Sequence, residues 1–175
     1  MEMFERAASA ASELARSVRP EQMGLATPCS EWNVAALLEH MAGGPRYLFG
    51  ALQVGGESVG RWPEPAVIDA VVSRLGEPGA LDRRCLSPAG FEWSVAEAVA
   101  GTAMDQLIHT WDLAVALGVD RTLDAEVTDA VVSMFLPQMP DVGRQAGFVG
   151  PAVEVGADPS PQDVLLGAMG RDPRR

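Results

Sequence analysis

Lysine is absent from this chain: all thirteen basic residues are arginine, set against 24 acidic ones. The formal charge of −11 and a pI near 4.5 disfavour any phosphate-backbone partner, which would need a local basic stripe. No basic run exceeds the pairs Arg83–Arg84 and Arg174–Arg175, so no nucleic-acid partner is expected. Two cysteines, Cys29 and Cys85, are too few for a disulfide framework. The opening Met1-Glu2-Met3-Phe4-Glu5 has neither the basic nor the apolar stretch of a signal peptide. No apolar run approaches the roughly 18 residues that span a bilayer. The expectation is a reduced, cytoplasmic protein without a membrane partner. Aromatics, at 6%, are too sparse to suggest a β-sandwich.

What is present is aliphatic and helical in pattern. Hydrophobic residues make up 47% of the 175, and that length suits a single domain, residues 1–175. Over residues 2–18, Phe4, Ala7, Ala8, Ala11, Leu14, Ala15 and Val18 fall on one helical face, and Pro20 ends the pattern. Asn33 can cap a second helix from Val34 to about Gln53, which Gly43-Gly44-Pro45 should bend or interrupt. Residues 54–64 read as a loop, and Pro65–Leu75 as a short helix with proline in its first turn. Residues 77–93 look like a long connection with a brief strand around Gly90–Trp93. Ser94 and Glu97 form a capping-box pattern opening a helix to Leu117, and Gly118 supplies its stop. A helix over Asp124–Met139, an extended piece at Val153–Val155 and a final helix over Pro161–Met169 complete the reading. The expected class is all-α, a helical bundle with short additional helices and little or no strand.

Both histidines lie in long predicted helices. Asp105 and His109 are four residues apart, so they sit roughly 40° apart on one face, one turn from each other. This is a spacing by which one helix grips a metal ion, and equally one that makes a surface ion pair. His40, on the second helix, can complete a three-ligand site or be a hydrogen-bonded core residue. Leu107, Ile108, Leu113 and Val115 imply that the helix around Asp105 is largely buried, and a buried carboxylate needs a cation or donor. Mixed oxygen and nitrogen ligands suit zinc first, with nickel, iron or manganese as alternatives. Glu39 neighbours His40, but adjacent helical residues point about 100° apart, so it should face away. Arg46 can present a substrate-binding guanidinium or be a salt-bridged surface residue. Trp32, Trp93 and Trp111 read as core or pocket wall, Cys29 as part of a turn, and Cys85 has no assigned role. Arg171 would tie down the C-terminal segment.

Three stretches carry a family resemblance. TPCSEWNVAALLEHMAGG, residues 27–44, resembles the motif opening the second helix of actinobacterial DinB-like proteins, which are related to the metal-binding domain of mycothiol-dependent maleylpyruvate isomerase. DQLIHTWDLAVALG, residues 105–118, resembles the second metal motif of that family, and PQDVLLGAMGRDP, residues 161–173, the tail of one small branch. The resemblance implies a DinB-type four-helix bundle and one divalent ion held by His40, Asp105 and His109. Asp105 stands where other branches carry Glu or His. It further implies mycothiol as cosubstrate of a transferase or isomerase acting on a small electrophile. Two other readings remain open here: a metal-dependent hydrolase or lyase in a biosynthetic pathway, and a non-catalytic metal-holding module that binds a small molecule. A monomer or homodimer is expected.

Overall fold

Helix α4 (Val95–Leu117) begins where the sequence asks it to. The Ser94 hydroxyl accepts from the Glu97 amide at 3.2 Å, and the Glu97 carboxylate accepts from the Ser94 amide at 2.6 Å. The helix runs Val95–Leu117, and Gly118 stops it at φ +68°, a left-handed conformation that glycine adopts without a Cβ penalty. Its buried residues lie on several sides, from Val95 and Val99 through Leu107 and Ile108 to Trp111 and Leu113. A helix apolar nearly all round must be packed nearly all round. This computed structural model describes residues 1–52, 60–137 and 139–174. The chain divides into two compact units, Met1–Arg121 and Thr122–Arg175.

In the first unit α1 (Glu2–Arg16), α2 (Val34–Ala51) and α3 (Pro65–Leu75) join α4. α1 and α2 each pack against α4, and α3 packs against both α1 and α2, which closes a four-helix bundle. α1 contributes Phe4, Ala7, Ala8, Ala11 and Ala15, all buried, and its small residues let α4 approach closely. The bundle is essentially all-α; its one sheet among the described residues is a short hairpin of β1 (Arg84–Leu86) and β2 (Glu92–Ser94). The sequence predicts only the second strand, and the first lies in the polar stretch that reads as a connection. Tyr47 of α2 pins this hairpin, accepting from Trp93 Nε1 at 2.6 Å and donating to the Leu86 carbonyl at 2.9 Å. Burial, then the neighbouring Cys85 thiol, pushes the Tyr47 pKa up to about 12, so the donor stays protonated.

Of the bend or interruption expected at Gly43-Gly44-Pro45, no interruption occurs: α2 runs through all three residues. Pro45 has no N–H, so the Met41 carbonyl loses its helical donor. Gln106 of α4, fully buried, replaces it with an Nε2–H bond of 2.9 Å to Met41 O. Gly44 makes that approach possible. A Cβ there would lie 2.9 Å from Thr102 Cγ2 and 3.0 Å from Gln106 Nε2. Thr102 cannot swing away cheaply, because its hydroxyl is bonded to the Ala98 carbonyl at 2.8 Å. Gly44→Val should therefore destabilise the protein by about 1–3 kcal/mol through overpacking. The check is a lower urea midpoint at unchanged slope; an unchanged midpoint would mean the two helices can separate at no cost.

The second unit holds α5 (Ala125–Phe135), α6 (Met139–Gln145) and α7 (Pro161–Ala168), with α7 packed on α5. The single helix expected over Asp124–Met139 is divided. Pro137 lacks the donor that would continue α5, and its ring would meet the carbonyl one turn back. Val153–Val155 forms no strand, although Val153 N–H donates to the Gly167 carbonyl at 2.9 Å. Arg171 bonds the Met169 carbonyl at 2.7 Å within the same segment. Part of the loop read at 54–64, and Gln53, lie outside the described residues. No helix among the described residues is long and apolar enough to cross a membrane.

Candidate metal centre

The segment before α2 is folded tightly onto itself. The Thr27 hydroxyl accepts from Cys29 N at 3.1 Å and donates to the Trp32 carbonyl at 2.8 Å. Val34 and Ala35 amides donate to Leu25 and Met23, and Asn33 caps the helix through the Ala36 amide at 3.0 Å. These bonds fix Trp32 and Cys29 ahead of α2, so that both side chains arrive beside the histidines.

His40 comes from α2, and Asp105 and His109 come from α4, one turn apart. Asp105 Oδ1 stands 3.1 Å from His40 Nε2 and 3.4 Å from His109 Nε2. The two imidazoles meet edge to face with centroids 4.7 Å apart. Trp32 lies against both rings, 4.6 Å from His40 and 5.7 Å from His109. The side chain of His109 is 9% exposed, those of His40 and Asp105 38% and 35%, so the group is open on the His40–Asp105 side.

On its other nitrogen, Nδ1, His109 meets Asp112 Oδ2 at 2.9 Å, and Asp112 is fully buried. The Cys29 thiol donates to the same oxygen at 3.3 Å. Sequence reasoning misses Asp112, although it sits three residues after His109 on the same helix. Among the described residues two clusters of ligand-type side chains therefore share His109, with atoms of each within 4.8 Å of one another: His40, Asp105 and His109, and Cys29, His109 and Asp112.

Burial works against the charge on Asp105, but the His109 charge and hydrogen bond, then those of His40, outweigh it and hold the carboxyl well below the usual range. Burial likewise opposes charge on His109. The Asp105 charge and hydrogen bond, with bonds from Asp112 and Cys29, overcome this and hold the imidazole well above its ordinary value. A histidine flanked by two carboxylates is a place that favours positive charge, either a proton or a cation. The spacing is compatible with either: about 3–3.5 Å is a hydrogen-bond or ion-pair distance, and two ligands each 2.0–2.1 Å from a tetrahedral zinc also stand about 3.3 Å apart. The separations at Asp105 are 3.1 and 3.4 Å.

Arg46 is not part of either cluster. Its guanidinium bonds Glu39 Oε1 at 2.6 Å and the Ala42 carbonyl at 3.2 Å, on an exposed side of α2. There it lines a groove of about 720 Å³ with Leu38, Phe49, Arg61 and Trp62, to which none of the three candidate ligands contributes. Trp93 belongs to the hairpin, and Trp111 is buried in the core.

Residues 4–80 match the mycothiol maleylpyruvate isomerase N-terminal domain, a region that includes His40 and ends before Asp105. The uncharacterized proteins Rv0738 and MT0763 of Mycobacterium tuberculosis are each 32% identical to this chain over 138 residues, covering 70% of either partner. No solved structure matches. The chain belongs to the actinobacterial DinB-like family that includes the mycothiol maleylpyruvate isomerase N-terminal domain.

Proposed function

We propose that this protein holds one divalent metal ion through His40 Nε2, Asp105 Oδ1 and His109 Nε2. We further propose that it uses the ion in a thiol-dependent transferase or isomerase reaction on a small electrophile, with mycothiol as the thiol. The observation that carries this reading is the convergence of three mutually close ligand-type atoms from two helices, with the His40 and Asp105 side chains partly exposed. Three protein ligands leave a coordination position free, as catalytic sites do and closed structural sites do not. A bound divalent ion supplies Lewis-acid chemistry that holds a thiol as its reactive thiolate. Zinc is the ion the donor set suits first.

The protein's own residues define the rest of the site. Asp105 and His109 are set by α4, and His40 is brought to them by the Gly44–Gln106 contact between α2 and α4 one turn further along. Trp32 lies tilted against both imidazoles, and the partly exposed side chains of His40 and Asp105 mark the side from which a ligand would enter. Glu39, the carboxylate next to His40 in sequence, is committed to Arg46 and is not offered as a base.

Cobalt in place of the native ion tests the thiol. Adding mycothiol should produce a sulfur-to-cobalt charge-transfer band in the near ultraviolet, and the band should persist in a Cys29→Ser, Cys85→Ser double variant. An unchanged spectrum would overturn the thiol reading and bring the hydrolase or binding-module reading forward.

A further inference from the structure

We infer that Asp112 and Cys29 are positioning residues for the metal: Asp112 fixes the tautomer and orientation of His109, and the Cys29 thiol fixes Asp112. The inference rests on the metal reading above, and goes beyond it by assigning residues that touch neither the ion nor a substrate. A neutral imidazole has one N–H and one lone pair, and only the lone pair binds a cation. For Nε2 of His109 to face the ion, the proton must sit on Nδ1. A carboxylate at Nδ1, able only to accept, enforces that choice, and Asp112 Oδ2 is there at 2.9 Å.

The carboxylate itself needs holding. Asp112 is fully buried, and a buried charge is tolerated only where donors meet it. One donor is His109; another is the Cys29 thiol, at 3.3 Å from the same oxygen. Cys29 and Asp112 are 83 residues apart, so this bond also ties the segment carrying Trp32 to the helix carrying two of the ligands. The turn around Cys29 thus delivers a hydrogen-bond donor to the rear of the metal centre.

Zinc affinity, measured by competition with a chromophoric chelator, tests this in the full chain. Asp112→Asn should weaken zinc binding about 10–100-fold. Cys29→Ala should weaken it about fivefold, the loss of one hydrogen bond from a weak thiol donor, and Cys29→Ser, which keeps a donor, should recover most of that. With only two histidines in the chain, ¹⁵N spectra read the tautomer directly. Zinc-loaded wild type should show His109 with a slowly exchanging Nδ1–H, and Asp112→Asn should exchange it faster. If Asp112→Asn does not fold, the Cys29→Ala and Cys29→Ser pair decides, with zinc-free unfolding midpoints as the control for stability. Wild-type affinity and wild-type Nδ1–H exchange in the folded variants would overturn the positioning role while leaving the metal site standing. Loss of zinc in Cys29→Ala that serine does not recover would make Cys29 a ligand and also overturn it. Absence of zinc binding by the wild type would instead remove the metal reading.

Discussion

His109→Ala is expected to abolish stoichiometric metal binding. Wild-type protein purified without a polyhistidine tag or chelator should carry about one divalent ion per chain, as elemental analysis reads it. The variant should hold less than about a tenth of that, because two remaining ligands on two different helices cannot pin an ion. A second loss accompanies the first. Asp112 is fully buried and bonded to His109 Nδ1, so the substitution leaves a buried carboxylate without one of its donors. Breaking a buried pair by deleting one partner costs about 3–5 kcal/mol. His109→Ala should therefore melt well below the wild type even when both are metal-free. His40→Ala removes a ligand from the exposed side and should lose the metal with a smaller stability penalty. Full metal content in His109→Ala would remove that residue from the site.

Stripping the metal from the wild type should lower its melting temperature by an amount that grows with pH. An ion at a free concentration roughly 1,000-fold above its dissociation constant stabilises the native state by about 4 kcal/mol. For a chain of this length that corresponds to a shift on the order of 10 °C. The pH sign follows from the two shifted groups. Asp105 is held below its unfolded value, so its contribution is present above the ordinary carboxylate range and fades as acid titrates the folded carboxyl. His109 is held above its unfolded value of about 6.5, so its contribution is complete below that pH and is lost as pH rises through the folded value. The metal-free protein thus loses this support on the alkaline side. The metal-loaded protein gains there, since protons no longer compete with the ion for imidazole nitrogen. The gap between chelated and loaded melting curves should be wider at pH 8 than at pH 6. Coincident curves at both would mean that no ion bridges α2 and α4.

Local signals are readable from the residues, and non-local ones are not. The α4 boundaries follow from Ser94, Glu97 and Gly118, each of which acts within one turn of itself, and the structure keeps them all. The effect of Pro45 is not legible, because the group that accommodates it, Gln106, lies 61 positions further along and meets Met41 only after folding. Pro137 is the opposite case: the local rule that proline ends a helix holds, and α5 stops at Phe135. The candidate ligands are legible because Asp105 and His109 are neighbours on one helix turn and histidine is rare in this chain. Asp112 follows on the same helix, yet its meaning depends on Cys29, which belongs to a segment before α2. The hairpin strand Arg84–Leu86 has no alternation to announce it and exists through its register with Glu92–Ser94 and the Tyr47 anchor.

X-ray absorption at the zinc edge, on protein loaded with one equivalent and no added thiol, tests the central claim most directly. Two ligand sets share His109, and only one contains sulfur. Ligation by His40, Asp105 and His109 predicts a first shell of nitrogen and oxygen alone at about 2.0–2.1 Å, with the outer-ring scattering of two imidazoles. A sulfur shell at about 2.3 Å would place the ion on a cysteine thiolate and contradict the assignment.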